Sequence, residues 1–180
     1  MGRNKLLLKV KGRTILDRLL DAVLSSKIDD AVIVLGNKPE AIKPVADARN
    51  VRTVLNVEHE RGMTSSFQTG ISTVDVDAAF LILGDQLGLT LELLNSMIDS
   101  LISNPKTLIV SPEFEGKRGH PSLFKASLFH EILTLPENEH MKHIVNRHEE
   151  QHRHVLGSIW NTMDFDTPKD FELALALFRV

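Results

Sequence analysis

Residues 78–86 read Ala-Ala-Phe-Leu-Ile-Leu-Gly-Asp-Gln, a continuous apolar run that ends on a glycine, a carboxylate and an amide. An unbroken apolar run of this length, followed directly by turn residues, is typical of a strand buried on both faces of a parallel sheet. We therefore predict a buried strand at Ala78–Leu83. A second run of the same kind, Ala31–Leu35 (AVIVL), ends at Gly36 and predicts another buried strand.

Helical segments alternate with these strands along the chain. Thr14 precedes a pattern of 3.6-residue periodicity and has Asp17 three residues further on, the spacing of a capping box. The pattern predicts a helix whose buried side extends from Ile15 to Leu24. The remaining predictions are helices that begin at about Pro39, Thr64, Thr90, Ala126, Met141 and Pro168, and strands at Arg52–Leu55, Thr107–Ser111, Ser122–Phe124 and Arg153–Leu156.

This alternation predicts the fold class. Strands and helices that alternate in one chain are typical of an α/β domain with a single Rossmann-like, mostly parallel sheet and helices on both faces. The length of 180 residues corresponds to one domain, so residues 1–180 are assigned to a single domain. In such sheets ligands bind beyond the carboxyl ends of the strands. Functional side chains are therefore expected just after Leu35, Leu55, Leu83 and Ser111.

Composition excludes several classes of function. A net charge of −3, no tyrosine and a single tryptophan argue against a nucleic-acid-binding surface. No apolar run approaches the roughly 18 residues of a membrane span. The absence of cysteine excludes a disulfide framework, a cysteine nucleophile and cysteine-type zinc sites. Because the first residues also lack the pattern of a signal peptide, the sequence predicts a cytoplasmic protein.

Two acidic segments are candidate metal ligands. Asp85, between Gly84 and Gln86, directly follows a predicted buried strand, where a carboxylate is well placed to bind Mg²⁺; the alternative is that it only caps the turn. The second segment is Asp164–Pro168, in which Asp166 precedes a typical helix start. If Asp166 and Asp85 converge, the two carboxylates could hold one Mg²⁺ against a triphosphate.

Two further segments have the residue types of a ligand-binding loop. Gly62 is followed by three hydroxyl side chains, on Thr64, Ser65 and Ser66, at the start of a predicted helix, where backbone N–H groups favour an anion. Helix capping explains them equally well. The second segment, Gly116–Pro121, contains two cations and a histidine, which suit an anionic substrate, although a solvated basic turn is the commoner explanation.

A zinc-protease pattern is present but is not interpreted as a zinc site. His148–His152 reads His-Glu-Glu-Gln-His, which matches the H-E-x-x-H motif. The motif requires a partly buried helix, whereas this segment is polar nearly all round. We therefore predict a solvated, histidine-rich surface here.

Taken together, these motifs resemble those of the MobA-like nucleotidyltransferase family, and most of all its molybdenum cofactor cytidylyltransferase branch. That resemblance implies a nucleotidyltransferase fold of the GT-A-like type. Five segments match in the family's order. They are Met1–Leu8 (the end of L-A-A-G-x-S-x-R-M-G-x-x-K-L-L-L), Gly62–Ser66 (similar to G-M-S-S-S), Leu83–Gln86 (L-G-D-Q), Arg118–Pro121 (R-G-H-P) and Phe165–Pro168 (similar to I-D-T-P).

The resemblance implies a role for each matching residue. Asp85 and Asp166 would hold Mg²⁺, and Lys5 would contact the nucleotide phosphates. The remaining substrate-binding positions would be Gly62, Thr64, Ser65, Ser66, Gly84, Gln86, Arg118 and His120, with His120 in the acceptor pocket.

The implied reaction joins a nucleoside triphosphate, CTP, to a phosphorylated acceptor, molybdopterin, with a molybdoenzyme as an implied protein partner. An acceptor phosphate attacks the α-phosphate and pyrophosphate leaves. Such a transfer needs positioning and charge neutralisation, so no nucleophilic residue is expected.

Two departures from the family pattern leave alternatives open. The family's opening strand and most of its glycine-rich loop are missing, so the chain is expected to be truncated at its N-terminus or to be a degenerate homologue. Leu87 stands where the family has proline, which predicts a looser loop after Asp85. The alternatives are a non-catalytic homologue that binds pterin or a molybdoenzyme, and a nucleotidyltransferase that acts on a sugar phosphate.

Overall fold

The computed structural model describes residues 4–163 of the chain and confirms the α/β class. The strands are β1 (Lys9–Val10), β2 (Arg13–Thr14), β3 (Val32–Leu35), β4 (Arg52–Leu55), β5 (Ala78–Leu81), β6 (Ile109–Phe114), β7 (Lys117–Arg118), β8 (Ser122–Lys125) and β9 (His152–Leu156). The helices are α1 (Ile15–Ser25), α2 (Lys43–Ala48), α3 (Met63–Ile71), α4 (Leu91–Ser103), α5 (Phe129–Leu133), α6 (Met141–Arg147) and α7 (Ile159–Thr162). Short 3-10 helices lie at Lys5–Leu7, Pro39–Ala41, His59–Arg61, Ala126–Leu128 and Glu149–Gln151.

The central sheet is mixed. β3 and β4 are parallel, as are β6 and β9. In the larger part the strand order is β5-β8-β6-β7, and β8 is antiparallel to both of its neighbours. The reason is the tight β6–β7 turn at Glu115 and Gly116, both with positive φ, which reverses the chain so that β8 runs back beside β6.

The sheet consists of two separately hydrogen-bonded parts. Within the described residues β3 pairs with β4 alone and β5 with β8 alone. The parts meet through side chains, because Ile33 of β3 and Phe80 of β5 pack against one core cluster that contains Leu20 of α1 and Leu94 of α4.

Among the described residues, β3 and β5 each have one edge without a hydrogen-bonded partner strand. The sequence predicted that Ala31–Leu35 and Ala78–Leu83 are buried on both faces. Only Leu35 and Leu81 are buried, and the prediction is wrong for the other positions, which are half-buried.

The helix starts follow from local chemistry, and their extents follow from packing. The predicted cap of α1 is confirmed, because the hydroxyl of Thr14 accepts a hydrogen bond from the backbone N–H of Asp17 at 3.0 Å. Leu24, predicted to be buried, lies in the last turn beyond the core and is 48% exposed. The helix predicted from Pro39 is interrupted, and α2 begins only at Lys43, where Pro44 lacks the N–H that a continuous helix would need.

No helix in the part of the chain that the structure describes is long and apolar enough to cross a membrane.

Candidate active site

The structure brings together two residues that the sequence placed in the active site. Lys5 lies in the first 3-10 helix, and its ammonium group forms an ion pair with the Asp85 carboxylate. Leu6 packs over the glycine before this carboxylate, since a Cβ added to Gly84 would lie 3.4 Å from both Leu6 methyl groups. The side chains of Lys5 and Asp85 are 38% and 23% exposed, so a ligand can reach the pair.

A small hairpin anchors the segment that carries Lys5. β1 and β2 pair through a turn at Lys11 and Gly12, both with positive φ. The buried Val10 offers its carbonyl oxygen to the guanidinium of Arg18 in α1, at 3.0 Å from Nε and 2.6 Å from Nη2. This hairpin was not predicted from the sequence, although a glycine between polar residues is a turn signal that indicates one.

The loop after Asp85 is packed rather than loose. Leu87 is 2% exposed and forms a cluster with Val10 and Ile15, against which Trp160 of α7 also packs. Gly88 has a φ of +69° and lies so close to Trp160 that an added Cβ would be 2.5 Å from the Trp160 Cβ. The expectation of a looser loop is therefore wrong, because a buried leucine replaces the rigidity of proline with apolar packing.

Gln86 and His120, both predicted at the site, are joined by a hydrogen bond. The Gln86 side-chain amide donates to the backbone carbonyl of His120. The same carbonyl accepts from the Asn161 side-chain amide at 3.1 Å, and the His120 N–H donates to the Asn161 backbone carbonyl at 2.8 Å. The Gln86 Oε1 atom is buried and has no hydrogen-bond partner among the described residues. No sequence pattern indicated Asn161 as a site residue.

The predicted glycine and hydroxyl segment forms the start of α3. Gly62 precedes the helix with a φ of +87°, a conformation that favours glycine. Ser65 is buried, and its hydroxyl lies 3.0 Å from the Glu58 carbonyl oxygen and 2.9 Å from that of Gly62. It also accepts from the Asn56 amide at 2.9 Å. Ser65 thus stabilises the loop from within, and its contact with a ligand stays a prediction.

Asn56 is a second residue near the candidate site that no sequence pattern indicated. It is buried immediately after β4, and its side-chain amide donates to the hydroxyls of both Ser65 and Ser66, at 2.9 and 3.1 Å. Its side-chain oxygen accepts from the N–H of Glu58 at 2.9 Å. Asn56 therefore ties the end of β4 to the start of α3. Thr64 is buried and Ser66 is half-buried at the same helix start.

Of the other predicted site residues, the structure describes Arg118 but not Asp166. Arg118, on β7, is partly exposed and forms an ion pair with Glu149 at 2.8 Å. Asp166 lies outside the described residues, so its predicted convergence with Asp85 stays a prediction.

The histidine-rich segment departs from its prediction. His148 bonds to the Glu131 carboxylate at 2.7 Å, whereas His152 begins β9 and is buried, with Nε2 at 2.9 Å from the Ser111 hydroxyl. The expected solvated surface is therefore wrong at His152. Burial lowers the pKa of His152 to about 4, and the nearby His154 and Arg118 act in the same direction.

A comparison with protein families decides the assignment. The family model described as the MobA-like NTP transferase domain matches residues 1–153 of this chain. The chain belongs to this family. The match covers the Lys5–Asp85 pair, Gly62–Ser66 and Arg118–Pro121, so most of the predicted site lies within the MobA-like domain.

Two curated relatives of this MobA-like domain have different names. Nicotine blue oxidoreductase of Paenarthrobacter nicotinovorans is 29% identical over 137 residues, which cover 71% of this chain and 66% of that protein. This chain thus spans just under two thirds of that relative's length. A probable molybdenum cofactor guanylyltransferase of Natranaerobius thermophilus is 23% identical over 97% of this chain and 88% of that protein.

The solved structure of Rv0371c from Mycobacterium tuberculosis has the same fold. It superposes with a TM-score of 0.82 at 24% identity, covering 98% of this chain and 90% of that one. A complex of Rv0371c with manganese gives a TM-score of 0.79 at 25% identity, covering 97% of this chain and 93% of that one. These neighbours agree with the mixed α/β architecture described above.

The described part of the MobA-like domain forms no complete metal site by itself. It contains no group of three or more histidine, cysteine, aspartate or glutamate side chains that could hold a metal ion. Mg²⁺, however, usually binds through one or two carboxylates and completes its shell with water and substrate phosphates. Asp85, partly exposed at the end of a rigid strand and beside a cation, fits the role of one such ligand.

Proposed function

We propose that this chain transfers the cytidylyl group of CTP to the terminal phosphate of molybdopterin. The observation that carries the proposal is the partly exposed Lys5–Asp85 pair beyond the carboxyl end of β5. An oxygen of the acceptor phosphate attacks the α-phosphorus, the bond from that phosphorus to the bridging oxygen breaks, and pyrophosphate leaves with the negative charge. The membership of the chain in the MobA-like NTP transferase family supports this class of reaction.

The proposed chemistry requires positive charge more than covalent help. Lys5 binds the phosphates and neutralises part of the charge that develops on the leaving pyrophosphate. Asp85 would hold Mg²⁺, with Asp166 proposed as a second ligand. When bound, the ion would neutralise the phosphate oxygens and orient the triphosphate. Its binding would compete with Lys5 for Asp85 and would leave the ammonium group available to the phosphates.

The choice of nucleotide rests on two short motifs. Gly62–Ser66 and Arg118–Pro121 resemble the cytidylyltransferase branch, which supports CTP. The relative named as a guanylyltransferase makes GTP the main competitor. Titration of the chain with each nucleotide in a calorimeter, in the presence of Mg²⁺, separates the two. Tighter binding of CTP is expected, and equal affinities would remove the cytidylyl part of the proposal.

The acceptor is proposed from the position of His120. Its backbone is held beside Gln86, next to Asp85. We therefore propose the His120 ring as the contact for the acceptor phosphate. The proposed setting is cytoplasmic, with a molybdoenzyme receiving the product. A sugar phosphate is the alternative acceptor, and a pterin-binding homologue without catalysis is the alternative class. Parallel assays with molybdopterin and with sugar phosphates distinguish these three.

The decisive experiment measures pyrophosphate release in the wild-type chain and in Asp85→Asn. The variant removes the carboxylate charge at nearly constant size, so we expect loss of metal-dependent release in a folded protein. Asp99→Asn is the matched control, because Asp99 forms an exposed ion pair with Lys27 on the protein surface. Unchanged turnover in Asp85→Asn would refute the metal role.

No release from wild-type protein with any acceptor, together with retained pterin binding, would favour the non-catalytic alternative. Redox turnover of nicotine blue in place of transfer would align the chain with its oxidoreductase relative.

A further inference from the structure

One short helix contacts both loops that flank the proposed acceptor site. α7 has four residues, and two of them reach in different directions. Trp160 packs on Gly88 in the loop after Asp85, while Asn161 bonds to His120 in the loop that follows β7. The two loops are far apart in sequence, so α7 is a physical link between them.

Asn161 contacts His120 through both its side chain and its backbone. The Asn161 side-chain amide donates to the His120 carbonyl at 3.1 Å, and the Asn161 backbone carbonyl accepts from the His120 N–H at 2.8 Å. Because the Gln86 amide donates to the same His120 carbonyl, this oxygen is held between two side chains. We call Gln86, His120 and Asn161 the amide clasp.

Asn161 is itself held rigidly. It is buried, and its side-chain oxygen accepts from the Ser158 N–H at 2.8 Å and lies 3.2 Å from the Ser158 hydroxyl. The side-chain oxygen therefore serves α7, and the side-chain nitrogen serves His120. Because the two atoms have different partners, a substitution can remove the hydrogen bond to His120 and keep the one to Ser158.

The backbone of α7 also approaches the acceptor loop very closely. A Cβ added to Gly119 would lie 2.1 Å from the Asn161 carbonyl oxygen and 2.6 Å from its carbon. Only glycine fits there, since these are backbone atoms that cannot turn away. The close approach is what allows the N–H of His120, the next residue, to reach the Asn161 carbonyl.

We propose that Asn161 is a positioning residue, which through the amide clasp fixes His120 relative to Asp85 and so determines acceptor binding. This inference rests on the proposed function, because it assigns His120 to the acceptor. The side chain of Asn161 has its hydrogen bonds within the protein, so it acts on the acceptor through His120. Nucleotide binding, which we assign to Lys5 and Asp85, should not depend on it.

Asn161→Asp tests this role with little change of shape. The carboxylate keeps an oxygen for Ser158 but replaces the donor to His120 with an acceptor, which repels the His120 carbonyl. We expect the KM for the acceptor to rise ~10-fold, as for loss of one buried hydrogen bond, with the affinity for the nucleotide unchanged. Ser158→Ala is the matched control, because it loosens the other end of Asn161 without removing the donor to His120.

The pattern of the effects distinguishes positioning from general stability. A merely structural role would weaken acceptor and nucleotide binding together and lower the thermal midpoint of both variants alike, and that result would overturn the proposal. An unchanged acceptor KM in Asn161→Asp would do the same. If Asn161→Asp does not fold, Gln86→Glu removes the other donor to the same carbonyl and should also raise the KM for the acceptor.

Hydrogen exchange tests the amide clasp without any enzymatic assay. Mass spectrometry of the peptide spanning residues 117–123 should show exchange of the His120 N–H that is roughly tenfold faster in Asn161→Asp than in Ser158→Ala. Equal rates would refute the amide clasp itself. Faster exchange in a chain whose wild-type form transfers no nucleotidyl group would instead refute the acceptor role of His120 and the proposed function, while the structural link stands.

Discussion

Lys5 and Asp85 come from distant parts of the sequence and form an ion pair at the carboxyl end of β5. Neither side chain is fully buried, so the pair is not a core element. An exposed ion pair adds little to stability, typically about 0–1 kcal/mol. Its placement beyond a strand end, rather than its energy, is what makes it the centre of the proposed site.

Lys5→Met should weaken nucleotide binding far more than it weakens the fold. The variant keeps much of the length of the side chain but removes the charge, so we expect the affinity for CTP to fall by roughly 10- to 100-fold, the effect of one or two charge-assisted hydrogen bonds. Calorimetric titration measures this. Lys27→Met removes a surface ion pair with Asp99 and serves as the control, and an equal loss of affinity there would show a non-specific charge effect.

Leu87→Ala should destabilise the protein strongly. Leu87 is 2% exposed and packs with Val10 and Ile15, so truncation leaves a cavity that costs about 2–5 kcal/mol. The free energy of unfolding in urea measures the loss. Leu156→Ala is the comparison, because Leu156 is 90% exposed and its truncation should change stability by less than about 0.5 kcal/mol. Similar losses in the two variants would mean that the loop after Asp85 is not packed as described.

Gly88→Ala should cost more than Gly12→Ala. Both glycines have positive φ, +69° and +81°, and alanine is strained there by about 1–2 kcal/mol. Nothing lies within 4 Å of an added Cβ at Gly12, whereas at Gly88 it would meet Trp160 at 2.5 Å. Overpacking should add about 1–3 kcal/mol at Gly88 alone. Thermal unfolding of both variants measures the difference, and equal midpoints would argue against the Trp160 contact.

Stability should fall between about pH 6.5 and pH 4 because of His152. Burial lowers the pKa of His152 from 6.5 to about 4, so in this window the unfolded chain binds a proton that the folded protein does not. Stability therefore rises with pH through the window and is fully present above it, with a span of roughly 3 kcal/mol. Urea unfolding at several pH values should show a flatter profile in His152→Gln.

Asp17 affects stability mainly below this pH window. The Thr14 hydroxyl, and then Arg49, hold the pKa of Asp17 below its ordinary value of 3.8, so its contribution is lost only as the pH falls through that lowered pKa. His130→Gln, which removes an exposed histidine, is the control. An equal flattening in both histidine variants would show that the burial of His152 is not the cause.

Local patterns predicted most of the elements. The Thr14 and Thr90 caps start α1 and α4 at the predicted residues, and β4 has its predicted bounds, because caps and short apolar runs depend on neighbouring residues alone. Sequence patterns were less successful where contacts between distant segments determine the burial of a residue. Leu24 matches the periodicity of α1 but lies beyond the core, and His152 lies in a polar segment but is buried beside Ser111. The assignment of residues 1–180 to one domain stays a prediction.

The sequence by itself determined the α/β class, the family and most of the candidate residues, because motif order and hydrophobic periodicity are properties of neighbouring positions. Tertiary structure alone decided which candidates meet. In the folded chain Lys5 forms an ion pair with Asp85, and the Ser65 hydroxyl bonds to the backbone of its own loop. Asn161 donates a hydrogen bond to His120. Those relationships depend on how separate loops pack against one another, and no spacing along the chain encodes the distance between two hydrogen-bonding atoms.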